Sequence, residues 1–152
     1  MFMKNLFKKE ITNEFIGRID KLTATTQPNW GKMSVSQMLA HCCVAYEMVY
    51  TDKHPRPNAL VRTLLKWFVK KPLVNEKPYP KNGKTAPQFI ISDAREFETE
   101  KERLIGFILK TQELGEDYFN GKESHSFGIL TVTEWNNSFY KHLDHHLNQF
   151  GV

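Results

Sequence analysis

Cysteine is scarce in this sequence, which has only Cys42 and the adjacent Cys43. Neighbouring cysteines rarely make a useful disulfide and no third cysteine is present, so a disulfide scaffold is excluded and we expect a reduced, cytoplasmic protein. Long hydrophobic runs are also lacking, since no stretch approaches the roughly 18–20 apolar residues of a membrane-spanning helix. The basic N-terminus has neither a continuous apolar stretch nor a small-residue cleavage site, so we expect no signal peptide.

The overall composition is that of a globular protein. The chain has 152 residues, of which 40% are hydrophobic and 25% are charged. This length suits one hydrophobic core, and this composition argues against disorder. We therefore expect a single domain over residues 1–152, with no internal repeat or low-complexity tract.

Apolar residues recur at helical spacing in four long segments. Capping-box patterns mark two helix starts, Ser34 with Gln37 and Thr131 with Glu134, and Gly115 marks the end of another helix. We expect helices over residues 5–24, from Ser34 to about Thr51, from about Ser92 or Asp93 to Leu114, and from Thr131 almost to the C-terminus.

A long proline-containing stretch separates the second and third of these helices. It holds one short amphipathic segment, residues 59–70. Such a segment, basic and with Trp67 and Phe68, could lie on a membrane surface, but we favour a short helix packed on the body of the protein. The predicted fold is therefore all-α: a four-helix bundle with a long crossover that contains a short extra helix between helices 2 and 3.

Positive charge is concentrated in residues 53–84. This basic segment has one acid, Glu76, against nine basic residues: Lys53, Arg56, Arg62, Lys66, Lys70, Lys71, Lys77, Lys81 and Lys84. It could attract nucleic acid, anionic lipid or an anionic substrate, but a solvated lysine-rich loop is the simpler interpretation. No recognised nucleic-acid motif is present, and we expect neither nucleic acid nor membrane among the partners.

Histidine is concentrated near the C-terminus, where three of the six histidines lie within "HLDHH". The inward stripe of the last helix contains Trp135, Phe139, His142, His146 and Gln149, at heptad-like spacing. His142 and His146 are one turn apart on one face, and His41 lies at an inward or boundary position of the second helix. Three imidazoles and an open fourth position are the ligand set of a catalytic zinc site, although imidazole also suits nickel, copper and ferrous iron. The alternative is a polar core patch in which each imidazole has a hydrogen-bond partner.

Other candidate residues surround this set. We expect His145, on the neighbouring edge of the last helix, to contact the ligands or a substrate without binding metal. If the site is hydrolytic, Glu47 is a candidate for its general base. The sequence alone does not identify the catalytic residues. We expect His54 and His125 to be ordinary surface residues in loops, and the two cysteines to be small core residues.

The segments "WGKMSVSQMLAH" and "HSFGILTVTEWNNSFYKHLDHHLNQFG" resemble the DinB/YfiT-like superfamily of four-helix-bundle metalloenzymes. The resemblance to a narrower branch, described as a DinB-like domain of unknown function, is better still. The resemblance implies the bundle fold and a metal site formed by His41, His142 and His146, with Gln149 at the position of the Gln that follows them. It also makes a homodimer a fair expectation.

The resemblance implies a class of chemistry as well. Characterised relatives in the superfamily transfer or open small molecules, and they use a low-molecular-weight thiol to do so. We therefore expect a metal-dependent, thiol S-transferase-like enzyme that uses zinc or nickel and acts on a small electrophilic substrate. A metal-dependent hydrolase and a non-catalytic metal or small-ligand binding protein remain open alternatives.

Overall fold

The computed structural model of the protein describes residues 3–152 and is mainly helical. The elements in chain order are α1 (Lys9–Asp20), α2 (Val35–Tyr50), α3 (Ala59–Phe68), α4 (Lys70–Val74), a 3-10 turn (Pro87–Phe89), α5 (Phe97–Phe119), β1 (Glu123–Ser124), β2 (Gly128–Ile129) and α6 (Val132–Gln149). The two strands form an antiparallel hairpin. Within residues 3–152, no helix has both the length and the apolar character needed to cross a bilayer.

The helix starts follow local side-chain chemistry. Ser34 and Thr131 cap α2 and α6, and both predicted capping boxes are present. The third long helix starts later than predicted, at Phe97, because the Glu96 side chain accepts hydrogen bonds from the first backbone N–H groups of the helix. It also continues beyond Leu114: Gly115 breaks the helix with a positive φ of 71°, and helical residues resume as far as Phe119.

The first helix is shorter than the predicted range of residues 5–24. Its N-terminal side is occupied by a turn in which the Leu6 N–H donates to the Asn136 side chain of α6. At the other end, the Lys21 N–H turns back to the Arg18 carbonyl, and the helix stops. The apolar residues of both flanks still contribute to the core, since Leu6 and Leu22 are buried.

The four long helices contact one another around a common apolar core. Helix α5 contacts α1, α2 and α6, and α6 also contacts α1 and α2. Buried aromatic and aliphatic side chains fill the space between them, including the stacked rings of Tyr46 and Phe139, with centroids 4.8 Å apart. The predicted all-α class is confirmed, and the four-helix bundle remains our interpretation of these contacts.

The extra helix of the crossover is present, but its predicted packing is wrong. No residue of α3 is buried, and Trp67 and Phe68 each expose 73% of their surface. The short α4, by contrast, lies against α6. The amphipathic period of residues 59–70 predicted a helix correctly, but it could not show which direction the apolar side faces.

Candidate metal centre

His41 reaches the interior from the middle of α2. The capping box at Ser34 fixes the start of this helix, and His41 lies about two turns further on, only 4% exposed. Its ring is next to the ring of Phe89, in the 3-10 turn that packs on α2. The sequence predicted an inward or boundary position for His41, and the structure confirms that the side chain is buried.

His142 and His146 face His41 from α6. Trp135, Phe139, His146 and Gln149 are buried and His142 is partly buried, so the predicted inward stripe of α6 is confirmed. The ring centroid of His41 is 4.9 Å from that of His142 and 4.5 Å from that of His146. One candidate ligand atom from each of the three side chains lies within 4.8 Å of the other two.

Outer partners fix the proton positions of two of these imidazoles. The Nδ1 atom of His41 is 2.7 Å from the Phe89 carbonyl oxygen, and that of His146 is 2.8 Å from Gln149 Oε1. Both oxygens can only accept, so each Nδ1 must carry a hydrogen and donate it. The Nε2 atom of each neutral ring therefore keeps its lone pair, which is the form that binds a metal.

A tight loop holds Gln149 in turn. Its Nε2 donates to the Trp30 carbonyl at 2.7 Å, which leaves Oε1 as the acceptor for His146. Gly31 has a positive φ of 85°, and a Cβ atom there would lie 2.5 Å from Gln149 Nε2. Only glycine provides both this backbone conformation and this space, so the loop before α2 helps to orient a histidine on α6.

The three imidazoles are neutral because of where they lie. Burial lowers the pKa of His41, of His146 to about 3, and of His142 well below its usual value. Neighbouring imidazoles add to this effect for His142 and His146. The Nε2 atoms of His41 and His142 are 2.9 Å apart, so the proton between them belongs to His142 in the metal-free form.

This donor set fits a divalent cation. Three neutral imidazoles converge, two of them with Nδ1–H donated to oxygen acceptors, as metal-bound histidines have in proteins. His41, His142 and His146 could therefore hold a divalent metal ion. The identity of the ion does not follow, since imidazole binds several transition metals.

His145 and Glu47 lie outside this group. His145 contacts the edges of the Trp30, Tyr79 and His146 rings, so it is a neighbour of the triad. Glu47 is buried on α2 and bonded to His54, Lys53 and Arg103. It lines a cavity of about 190 Å³ that includes Ala40, Gln88 and Ile90 and none of the three triad histidines.

The expectation that His54 and His125 are surface residues is wrong. His54 Nε2 is bonded to the buried carboxylate of Glu47 at 2.7 Å. His125 is 7% exposed, in the turn between β1 and β2, and its Nε2 donates to the His54 carbonyl at 2.9 Å. Loop position suggested exposure, but the hairpin and the start of the crossover bury each other. The two cysteines are buried and free, as predicted.

Sequence reasoning missed two groups that orient the triad. The Phe89 carbonyl is a backbone atom, which leaves no sequence signal. The Trp30–Gly31 loop did leave a signal, a glycine three residues before the capping residue Ser34, but its contact with Gln149 joins positions far apart in the chain.

A family comparison covers nearly the whole chain. Residues 4–151 match the model of a family described as a protein of unknown function, DUF1569. The chain belongs to the DUF1569 family. No curated protein and no solved structure matches the chain. The DUF1569 match therefore includes all three histidines and Gln149, but it names no activity.

Proposed function

We propose that this DUF1569 protein is a metal-dependent enzyme whose divalent ion, zinc or nickel, is held by His41, His142 and His146. One observation carries the proposal: the Phe89 carbonyl and Gln149 Oε1 occupy the Nδ1–H groups of two rings and leave their Nε2 lone pairs available. A polar core patch would also give each imidazole a hydrogen-bond partner, but it would not need one candidate ligand atom from each of three rings to converge within 4.8 Å. Relationship to the DinB/YfiT-like superfamily is part of this proposal.

The proposed reaction transfers a low-molecular-weight thiol to a small electrophilic substrate. The bound ion would supply Lewis acidity, which favours the thiolate form of a thiol at neutral pH. The described residues offer three neutral imidazole ligands, and a fourth position open to the thiol would make the site catalytic rather than structural.

The residues around the triad restrict what can approach it. Phe89 lies against the His41 and His142 rings, with centroids 5.4 and 5.7 Å away. On the other side, Trp30 and Tyr79 flank His145. Phe89 therefore lies directly against two of the three rings, and His145, beside His146, is the polar side chain next to the triad that a substrate could meet.

A hydrolase would use the same ligands but would need a general base. Glu47 is poorly suited to that role because its carboxylate is already bonded to Lys53, His54 and Arg103. The buried contacts of Glu47 therefore favour the thiol reaction over the hydrolase that the sequence left open. The homodimer stays a prediction, to be checked by sedimentation velocity.

Cobalt substitution tests this proposal. We expect the Co²⁺-loaded protein to show the visible absorption of a low-coordinate site, and a small thiol to add a thiolate-to-cobalt charge-transfer band in the near ultraviolet. His142→Gln should lose both signals, whereas His54→Gln, which alters a histidine outside the triad, should keep them.

The possible results separate the alternatives. Cobalt binding without any response to thiols would contradict the thiol reaction and favour a hydrolase or a binding protein. Failure of the wild-type protein to bind cobalt, with its helical content intact by circular dichroism, would contradict the metal site itself.

A further inference from the structure

Helix α3 exposes an apolar side. Leu60, Trp67 and Phe68 have 72%, 73% and 73% of their surface exposed, and Leu64 has 48%. In a helix these four residues lie within one arc of the surface, while Arg62 and Leu65, on a neighbouring arc, are less exposed. Soluble proteins rarely leave so many large apolar side chains together on one surface without a use for them.

The exposure of α3 is not the result of loose attachment. Asn58 caps the helix by accepting from the Val61 N–H, and Arg62 forms an ion pair with Glu123 of β1. The following helix, α4, is fixed to α6 by polar contacts at three successive turns: Lys70 with Glu134, Asn137 with the Val74 carbonyl, and Lys141 with the Pro72 carbonyl. The body of the protein therefore holds α3 with its apolar arc outward.

Unneutralised positive charge lies in the same crossover as this apolar arc. Within residues 3–152, Lys66 in α3 and Lys71 in α4 have no ion-pair partner, and neither have Lys77 and Lys84 further along the crossover. The only acid in the basic segment is Glu76. The occupant of this surface must accept apolar side chains and carry negative charge.

These two requirements select among partners. A second copy of the chain would bring two positive surfaces together. A nucleic acid could stack on Trp67 and Phe68 but offers nothing to Leu60 and Leu64. An anionic lipid surface offers acyl chains to all four and headgroup charge to the lysines.

We propose that α3 is an interfacial helix that seats this protein on an anionic lipid surface. Leu60, Leu64, Trp67 and Phe68 enter the headgroup–acyl boundary, and Lys66 and Lys71 remain at the level of the phosphates. This inference departs from our sequence-based expectation of no membrane partner, and it does not rest on the metal site.

Vesicle co-sedimentation tests the inference. Wild-type protein should sediment with vesicles of phosphatidylcholine containing about one third phosphatidylglycerol, and much less with phosphatidylcholine alone. Each large apolar side chain removed from the arc should weaken binding by about tenfold or more, so the double variant Leu64→Gln/Trp67→Gln should stay in solution. Leu109→Gln on α5, at a residue 44% exposed, is the matched control and should sediment like the wild type.

A charge variant and a salt series complete the test. Lys66→Gln/Lys71→Gln should weaken binding to the anionic vesicles by about tenfold or more, and about 0.5 M NaCl should weaken wild-type binding too. Circular dichroism must show that all variants keep the wild-type helical content. The inference is overturned if wild type does not sediment, or if the Leu64/Trp67 variant sediments equally well. It is also overturned if α3 instead binds an RNA oligomer more tightly than the vesicles. The same holds if wild type is a dimer that does not bind the vesicles and the Leu64/Trp67 variant is a monomer.

Discussion

Replacing Gly31 with alanine should weaken metal binding at His146, which lies on α6 and far away in the sequence. The added methyl group would lie 2.5 Å from Gln149 Nε2, and the backbone at position 31 has a φ of 85°. Gln149 cannot move aside freely, because its amide donates to the Trp30 carbonyl and accepts from His146. The clash must therefore disturb either the loop or the orientation of the His146 ring.

The size of the effect follows from these contacts. An alanine in left-handed backbone costs about 1–2 kcal/mol, and loss of the two Gln149 hydrogen bonds costs about 1 kcal/mol each. We expect Gly31→Ala to lower the free energy of unfolding of the metal-free protein by about 3–4 kcal/mol. Loss of an outer partner of a metal ligand should also weaken zinc binding by about 10- to 100-fold.

A second glycine provides the matched control. Gly121 has a φ of 77°, but a Cβ there would meet nothing within 4 Å. Gly121→Ala should therefore show only the backbone cost, about 1–2 kcal/mol, with unchanged zinc affinity. Urea unfolding of the metal-free proteins and a zinc titration against a chelating dye measure the two effects. Equal losses of stability in both variants, together with equal zinc affinity, would refute the positioning role of Gln149.

Three further results are expected. Gln149→Leu should weaken zinc binding by about 10- to 100-fold in a dye competition titration. His145→Ala should change the zinc affinity by no more than about twofold, because His145 is not a ligand. A larger loss of affinity in the His145 variant would contradict this assignment. The metal-free protein should lose stability as the pH falls below about 6.5, because imidazoles take up protons in the unfolded chain but stay neutral when buried in the folded protein. For His146, whose folded pKa is about 3, the loss of unfolding free energy reaches about 1.4 kcal/mol per pH unit. This pH dependence should be smaller in His146→Gln, and an unchanged slope would contradict the burial of His146. Glu47→Gln should destabilise the protein by about 2–3 kcal/mol in urea unfolding and leave the metal content unchanged. Loss of metal in this variant would show that Glu47 belongs to the metal site.

Local signals account for what the sequence predicted correctly. Ser34 and Thr131 cap α2 and α6 through residues three positions away, so both starts could be recognised without tertiary information. The spacing of His142 and His146 placed them on one helix face, and the pattern around His41 placed it at an inward or boundary position.

The errors arise where distant parts of the chain meet. The burial of His125 depends on its bond to the His54 carbonyl, and the turn that takes the place of the first predicted residues of α1 depends on Asn136. The direction of the α3 apolar side depends on where Arg62 and α4 are anchored. In each case a local pattern was visible, but its tertiary partner was not.

Metal content is the most direct test of the central claim. The protein should be purified without chelator or affinity tag and analysed by elemental mass spectrometry, with His146→Ala and the control His54→Gln beside it. The account predicts about one divalent ion per chain in wild type and in the control, and loss of the ion in His146→Ala. A wild-type protein that contains no metal and takes up neither added zinc nor added nickel would contradict it.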